Sequence, residues 1–246
     1  MTTTPIPTMD DVLGGALPAR IHLLTGTPGS GKSSAALHFL HKGIERREHC
    51  AVLTLDRTSD LLSHAQHLGL DIRRFVRARR LALVRYRSQF VARLASAASG
   101  TELVEELRQC MGLADVPPET RASRRPTRIV IDTLSPFLAT GDTSGSALEA
   151  LVRWLNECGA TVVLTYSGDV TQAVDRRLEP VIESAALIAR LQHVAGTSFR
   201  AEIVRARHAI AASRPIAFDI MPGAGITPPR LDAARDDVAR PPLLLA

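Results

Sequence analysis

The stretch Gly26-Thr27-Pro28-Gly29-Ser30-Gly31-Lys32-Ser33 decides the fold of this chain. It fits the phosphate-binding pattern G-x-x-x-x-G-K-S/T at every required position. Glycines let the backbone curl so that successive N–H groups point at phosphate oxygens, and the lysine adds a positive charge. The serine after the lysine is a magnesium ligand in such loops. The motif therefore predicts nucleotide binding through these residues and the adjoining Ser34.

The flanking segments have the order that a phosphate loop requires. Residues 21–25 form a short apolar strand before the motif, and residues 33–40 have the pattern of a helix whose N-terminus faces the anion. Of the 30 lysine and arginine residues only Lys32 and Lys42 are lysine, and one of them occupies the position that the loop needs. A glycine-rich turn that precedes a helix by chance is the disfavoured alternative.

Length and composition limit the class of protein. With 246 residues, of which 45% are hydrophobic, the chain can form one α/β domain but has no room for a second catalytic domain. Apolar runs fall short of the ~20 residues that span a bilayer, and residues 1–5 do not resemble a secretion signal. We therefore expect a cytoplasmic protein without a membrane partner. Cys50, Cys110 and Cys158 are far apart and predict reduced thiols rather than a disulfide or zinc site.

The net charge of +5 is accompanied by clusters of arginine. Such clusters can bind a nucleic-acid backbone, but only 4% of residues are aromatic, which disfavours stacking on single-stranded bases. A solvated arginine-rich surface is the favoured interpretation, and nucleic acid is a less favoured partner. The residues in these clusters are Arg73, Arg74, Arg77, Arg79, Arg80, Arg121, Arg124, Arg125 and Arg128.

Hydrophobic periodicity predicts alternating strands and helices as far as residue 165, and then three strand-like runs with no helix between them. This order indicates a mainly parallel twisted sheet flanked by helices, with a C-terminal antiparallel hairpin extension. Ligands of such sheets bind at the carboxyl ends of the strands, where Asp56, Asp132 and Thr165 fall. The predicted strands are 21–25, 50–55, 81–84, 128–133, 161–165, 185–191, 199–205 and 216–220; the helices include 60–68, 101–107 and 147–156, and residues 115–126 form a polar connector.

Asp132 ends the apolar strand that begins with Ile129. Burying a carboxylate there is unfavourable unless a cation compensates it, and Mg²⁺ is the obvious cation beside a phosphate loop. Ser33 and Asp132 are therefore the predicted metal ligands, with Asp132 as the Walker B residue. The alternative is a strand that simply ends in aspartate at a turn.

The leading segment 13–18, the phosphate loop, residues 128–136 and the hairpin tail together resemble the KaiC-like branch of the RecA superfamily. The resemblance covers about residues 10–226, after an N-terminal arm at 1–9 and before a tail at 227–246 that we expect to be disordered. It implies a RecA-like P-loop fold in which the strand ending near Thr165 lies between the Walker A and Walker B strands. It also implies ATP and Mg²⁺ as cofactors, and a homo-oligomer, such as a hexameric ring, with ATP between subunits.

Two departures from the family pattern bear on catalysis. Where the family has two adjacent glutamates after the second strand, one of which activates the attacking water, this chain has Asp56 and Arg57. Aspartate is one methylene shorter and arginine is no base, so two outcomes stay open: slow hydrolysis assisted by Asp56, or ATP binding almost without turnover. A solvated ion pair of Asp56 with Arg57 is the structural alternative.

The second departure concerns a Lys-x-Arg pair that reaches from one subunit to the γ-phosphate of its neighbour. Arg205 and Arg207 match it, with arginine in place of lysine, and the resemblance implies that they act with Lys32 and Asp56 in catalysis. Two solvent-facing arginines on an edge strand are the alternative. Residues 165–167 match a γ-phosphate sensor, with a packed Tyr166 as the alternative, whereas residues 179–181 offer no phosphoacceptor hydroxyl and disfavour autokinase activity.

Two histidine pairs and one tryptophan complete the candidates. His38 and His41, and likewise His64 and His67, are three residues apart on helices, which permits a metal site. With no third ligand in the sequence pattern, surface or packing histidines are the favoured interpretation. Trp154 is predicted to lie in the core or at a subunit interface.

The sequence thus favours a RecA-type and KaiC-like ATPase of low turnover that acts through an unidentified protein partner. The alternative is a non-hydrolysing scaffold or regulatory oligomer that binds ATP as a structural ligand. A DNA-handling recombinase paralogue, which would use the loop 167–180 with Arg176 and Arg177, is less favoured, and a small-molecule kinase is least favoured because the chain offers only the short connector 113–127 as a lid.

Overall fold

The computed structural model describes residues 4, 6–13, 17–85, 126–138, 145–171, 175–207 and 214–230. Several predicted features lie outside these residues and stay predictions: the helix at 101–107, nearly all of the connector 115–126, Cys110, three arginines of the clusters and most of the tail.

The described strands and helices follow the predicted order, with bounds that differ by a few residues. Four short helices, which begin at Pro7, Arg73, Ser135 and Glu179, and the last strand, which begins at Gly225, were not predicted. The strands are β1 (Ile21–Thr25), β2 (Cys50–Thr54), β3 (Leu81–Arg85), β4 (Arg128–Asp132), β5 (Thr161–Tyr166), β6 (Leu187–Ala195), β7 (Ser198–Ala206), β8 (Ile216–Met221) and β9 (Gly225–Thr227). The helices are α1 (Pro7–Val12), α2 (Lys32–Glu45), α3 (Thr58–His67), α4 (Arg73–Arg77), α5 (Ser135–Leu138), α6 (Ser146–Glu157) and α7 (Glu179–Ser184).

Within the described residues the strands form one sheet in the order β3-β2-β4-β5-β1-β6-β7-β8-β9. The strands from β3 to β6 pair in parallel, and β7, β8 and β9 continue the sheet in antiparallel pairs. This confirms the predicted α/β fold with an antiparallel extension. Strand β5 lies between β1 and β4, as the family resemblance implied. The parallel strands therefore have their carboxyl ends on the same side of the sheet, among them those of β2, β4, β5 and β1. We call this side, where the strands end, the carboxyl edge, and the side where they begin the amino edge.

Helices cover both faces of the sheet. Strands β1 and β2 are buried along their whole length, as expected for parallel strands with helices on both sides. On one face α2 contributes Leu37 and Phe39 to the core, and on the other α6 contributes Leu151 and Trp154. Trp154 is thus a core residue of the subunit. Full burial of one such side chain stabilises the fold by about 1.5–3 kcal/mol.

Arg128 is an internal residue, which corrects its place among the surface arginines. Its guanidinium donates to both carboxylate oxygens of Glu48, at 2.6 and 3.2 Å, and to the carbonyl of Phe39 at 2.8 Å. Gly43 makes room for it, because a Cβ atom there would lie 2.4 Å from Arg128 Cδ. Removing one partner of such a buried pair typically costs about 3–5 kcal/mol. Arg128 ties α2 to β4 and is not available to a nucleic-acid backbone.

The segment predicted as an N-terminal arm contributes to the core. Helix α1 begins at Pro7, and the side chains of Ile6 and Met9 are fully buried in the cluster that contains Phe39. The backbone N–H of Thr4 donates to the Asp10 carboxylate at 2.7 Å. Among the described helices, none is long and apolar enough to cross a bilayer.

Candidate nucleotide-binding site

The predicted phosphate loop connects β1 to α2 at the carboxyl edge, and its backbone requires glycine. Gly26 and Gly31 have φ angles of 140° and 89°, in the region that disfavours side chains. A Cβ atom on Gly26 would lie 2.2 Å from the carbonyl oxygen of Leu191, and one on Gly31 would lie 2.7 Å from Cδ1 of Ile220. The loop is therefore held between the start of α2 and the strands β6 and β8.

Lys32 places a positive charge at the mouth of this loop. Its ammonium donates to the carbonyl oxygens of Gly26 and Thr27, each at 2.8 Å, and to Oγ of Ser30 at 3.3 Å. Burial lowers the pKa of Lys32, and the Asp132 carboxylate opposes that shift. The N-terminus of the 14-residue helix α2 adds its free N–H groups and its dipole at the same place. These features suit a polyanion.

Asp132 ends β4 beside the phosphate loop. Its Oδ1 accepts a hydrogen bond of 2.5 Å from Thr165 Oγ1, and Thr133 Oγ1 donates to the Thr165 carbonyl at 3.0 Å. Asp132 and Ser33 line the same cleft, so a hydroxyl and a carboxylate, both hard oxygen ligands, face one space. Among the described residues, no group of three or more His, Cys, Asp or Glu side chains is placed to hold a metal. Two protein oxygens suit Mg²⁺, which otherwise keeps water and phosphate ligands.

A cleft of about 460 Å³ lies in front of the loop. It brings together the predicted residues Lys32, Ser33, Ser34, Asp56 and Asp132, together with Ser167 of the predicted sensor segment. It also contains residues that the sequence did not assign to the site. Besides the predicted loop residues Pro28, Gly29 and Gly31, which also line the cleft, these are Leu55, His64, Thr133, Phe199 and Ile220.

The two residues that replace the family glutamates have different positions. Asp56 lines the cleft and is exposed, and its backbone N–H donates to Thr54 Oγ1 at 3.1 Å. Arg57 is exposed and is the N-cap residue of α3. Only Asp56 of this pair therefore faces the site.

The segment after β5 is tied to the phosphate loop. The backbone N–H of Gly26 donates to the Gly168 carbonyl at 3.0 Å. Arg190 of β6 pairs with Asp169 at 2.8 Å and also with the Glu202 carboxylate. A backbone hydrogen bond thus connects Gly168 to the phosphate loop, and an ion pair connects Asp169 to β6.

Arg205 and Arg207 lie away from the phosphate loop of their own chain. Strand β7 is antiparallel to β6, so Arg205 pairs with Ile188 near the start of β6, at the amino edge. Both arginines line a second cleft, of about 760 Å³, together with Arg20, Asn156, Glu183, Ser184 and Ala19. Arg205 donates to the Ile182 carbonyl at 2.9 Å. Within one chain the structure does not bring these arginines to the predicted site.

The members of each predicted histidine pair lie in different surroundings. Burial lowers the pKa of His38 to about 4, and its Nδ1 accepts from the N–H of Ile226 at 3.5 Å. His64 faces the nucleotide cleft, where its Nε2 lies 3.1 Å from Ser34 Oγ, whereas His67 is exposed. The sequence favoured a surface or packing role for His64. Its position eight residues after Asp56 on the following helix was the only signal for the site.

Comparison with known proteins identifies the family. A family model described as "ATPase: KaiC" matches residues 2–228. This chain is a member of the KaiC ATPase family. Its relatives include a UPF0273 protein of Aeropyrum pernix, 29% identical over 69% of this chain and 68% of the relative. Another, from Pyrobaculum aerophilum, is 28% identical over 55% of this chain and 48% of the relative.

The circadian clock oscillator protein KaiC of Prochlorococcus marinus is 32% identical over 84 residues, which are 33% of this chain and 17% of that protein. This KaiC-family chain thus matches about half to two thirds of the length of the UPF0273 proteins and a much smaller part of the clock protein.

Proposed function

We propose that this KaiC-family chain binds Mg·ATP in the cleft at the carboxyl edge and hydrolyses it slowly between subunits. The observation that carries the proposal is the convergence of Lys32, Ser33 and Asp132 on one cleft, in front of a glycine loop and a helix N-terminus. Among the described residues, a buried lysine beside a hydroxyl and a carboxylate that could hold a metal occurs at this cleft alone.

Each group has a definable part in the proposed reaction. The loop amides and Lys32 would bind the phosphates, and Ser33 and Asp132 would hold Mg²⁺, which would supply positive charge to the phosphate oxygens. Thr165 fixes the orientation of the Asp132 carboxylate through the hydrogen bond to Oδ1. Asp56 lines the cleft and would accept a proton from the attacking water. Its short, exposed side chain is less firmly oriented than a catalytic base requires, which supports a low turnover.

The position of Arg205 and Arg207 supports a site shared between subunits. Their charges lie at the edge opposite the phosphate loop of the same chain, so a nucleotide that they contact would belong to another copy. Arginines supplied in this way stabilise the charge that spreads over the γ-phosphoryl oxygens. The proposed active form is therefore a homo-oligomer, with a hexameric ring as the form that the family resemblance suggests.

A non-hydrolysing ATP-bound scaffold is the second candidate. The observation that favours it is the exposed Asp56 beside Arg57, which leaves the cleft without a firmly held base. In this case ATP would stabilise the contact between subunits and a protein partner would respond to the assembly.

The deciding experiment measures magnesium-dependent ATP turnover of the purified protein at several concentrations, alongside ATP binding and particle mass. Turnover that rises with assembly and is lost in Lys32→Ala and in Arg205→Ala supports the ATPase. Binding and assembly without turnover support the scaffold. A folded protein that shows neither ATP binding nor ATP-dependent stabilisation contradicts both.

A further inference from the structure

His64 lies at the nucleotide cleft because of where α3 is placed. The helix follows the turn that contains Asp56, and it packs on the core through Leu61 and Ala65, which are buried. His64 is half-buried, at the side of α3 that faces α2 and the cleft, whereas its neighbour His67 is exposed. The same helix thus presents one histidine to the site and another to solvent.

Ser34 fixes the orientation of the imidazole. Its Oγ lies 3.1 Å from Nε2 of His64, and Ser34 directly follows the predicted magnesium ligand Ser33. No described residue hydrogen-bonds the other ring nitrogen, Nδ1. When the Ser34 hydroxyl donates to Nε2, the proton of the neutral ring is on Nδ1, which is then a donor.

Two carboxylates and a histidine surround the ring, and burial favours its neutral form. Burial lowers the pKa of His64, while the carboxylates of Asp132 and Asp56 act in the opposite direction and His67 adds to the lowering. A neutral imidazole is a directed hydrogen-bond donor to an anion without being a fixed positive charge.

The sheet order indicates which end of a nucleotide His64 meets. Asp56, His64 and Asp132 belong to the side of β1 that carries β4 and β2, whereas Phe199 and Ile220 come from β7 and β8 on the other side. A metal held by Ser33 and Asp132 would supply charge to the terminal phosphates, so the terminal phosphate would lie toward these ligands. The apolar side, formed by Phe199 and Ile220, is left for the remainder of the nucleotide.

We propose that His64, oriented by Ser34, donates a hydrogen bond to the terminal phosphate end of the nucleotide and makes the site prefer ATP to ADP. This inference rests on the proposed nucleotide binding but not on turnover. ADP lacks the terminal phosphate, so the contact contributes to ATP affinity alone. Nothing in the sequence pattern assigned His64 this part.

The test compares affinities for the magnesium complexes of ADP and of a non-hydrolysable imido analogue of ATP, measured by calorimetry on the full chain. For His64→Ala we expect about a tenfold loss of affinity for the ATP analogue, as for one hydrogen bond to a charged group, with ADP affinity unchanged within about twofold. His67→Ala, on the same helix, is the control and should leave both affinities unchanged.

Two further variants distinguish the hydrogen bond from Nδ1 to the phosphate from the hydrogen bond between Nε2 and Ser34. The amide nitrogen of asparagine takes the place of Nδ1, and that of glutamine takes the place of Nε2. His64→Asn should therefore keep much of the preference for the ATP analogue, whereas His64→Gln should keep the bond to Ser34 and lose the preference. Thermal denaturation without nucleotide shows that each variant is folded, and the Asn and Gln pair carries the test if the alanine variant does not fold.

The contrary outcomes are distinct. If both affinities fall together in His64→Ala, or if neither changes, or if glutamine rather than asparagine restores the preference, the inference is wrong. If the wild-type chain binds neither nucleotide, the proposed function itself is wrong.

Discussion

The two ends of strand β1 each have a buried basic side chain nearby, but the surroundings of these two side chains differ. After its carboxyl end, the ammonium of Lys32 has three oxygen acceptors within 3.3 Å and the charge of Asp132 nearby. Near its amino end, His22 has one acceptor, the Pro18 carbonyl at 3.1 Å, and burial lowers its pKa to about 4. The oxygen acceptors and the Asp132 carboxylate at the carboxyl end stabilise the charged form of Lys32, which suits the binding of an anion. The surroundings at the amino end favour the neutral form of His22.

The clefts at the two ends of the sheet also differ in the charged residues that line them. Among the described residues, the cleft at the carboxyl edge is lined by carboxylates beside its lysine and by no arginine. In the part of the chain that the structure describes, the cleft at the amino edge is lined by Arg20, Arg205 and Arg207, with Glu183 as the one acidic residue. One edge lacks what the other supplies, which is the pattern expected if copies of the chain meet edge to edge.

The largest expected effect concerns the carboxyl edge. Lys32→Ala removes the buried charge and its bonds to the loop, so affinity for Mg·ATP should fall by about 100-fold, as for a charge-assisted hydrogen bond near the upper end of the usual range. Lys42→Ala, at the other lysine on the same helix, is the matched control and should bind as the wild type does. Calorimetric titration measures both; equal affinities of the two variants would remove Lys32 from the site.

The second prediction concerns the amino end of β1, where burial of His22 should make the stability of the fold depend on pH. Because the folded-state pKa of His22 is depressed to about 4, the unfolded chain takes up a proton at this side chain below its ordinary value of 6.5, while the folded chain does not. The contribution of His22 to the free energy of unfolding should therefore fall by about 1.4 kcal/mol for each unit by which the pH is lowered between these two values, and no further below them.

His22→Gln should lower this slope by about that amount, whatever its effect on stability at neutral pH. Chemical denaturation at pH 7, 6 and 5 measures the slope. An unchanged slope in the variant would show that His22 takes up its proton in the folded state.

The smallest effect tests how tightly the hairpin holds the phosphate loop. Gly31 and Gly29 both have positive φ, but a Cβ atom on Gly31 meets Ile220 at 2.7 Å and one on Gly29 meets nothing within 4 Å. Each alanine variant should lose about 1 kcal/mol through backbone strain. Gly31→Ala should lose more, and Ile220→Ala should relieve the excess. Equal losses at the two glycines would mean that Ile220 moves aside freely.

Features carried by consecutive residues were predictable. The phosphate loop, Asp132 at the end of its strand and the antiparallel extension each depend on spacing within a short stretch, and the structure has the predicted architecture. The place of β5 between β1 and β4 followed from the family resemblance, because strand order is not encoded in any single segment.

The remainder depends on packing between distant segments. His64 faces the cleft because α3 packs beside α2, and Phe199 and Ile220 reach it because β7 and β8 extend the sheet on the other side of β1. Arg128 appeared in an arginine-rich stretch, but the space above Gly43 and the carboxylate of Glu48 make it a core residue. Such partners are tens of residues apart, so their pairing is not visible in local patterns.

The most direct test of a site shared between two edges is a mixture of Lys32→Ala and Arg205→Ala subunits, each inactive alone. In an equal mixture of exchanging subunits, about a quarter of the interfaces join an intact phosphate loop to an intact Arg205, so about a quarter of the wild-type ATP turnover should return. If the mixed oligomers assemble and stay inactive, or if Arg205→Ala alone retains full turnover, the two edges do not form one site.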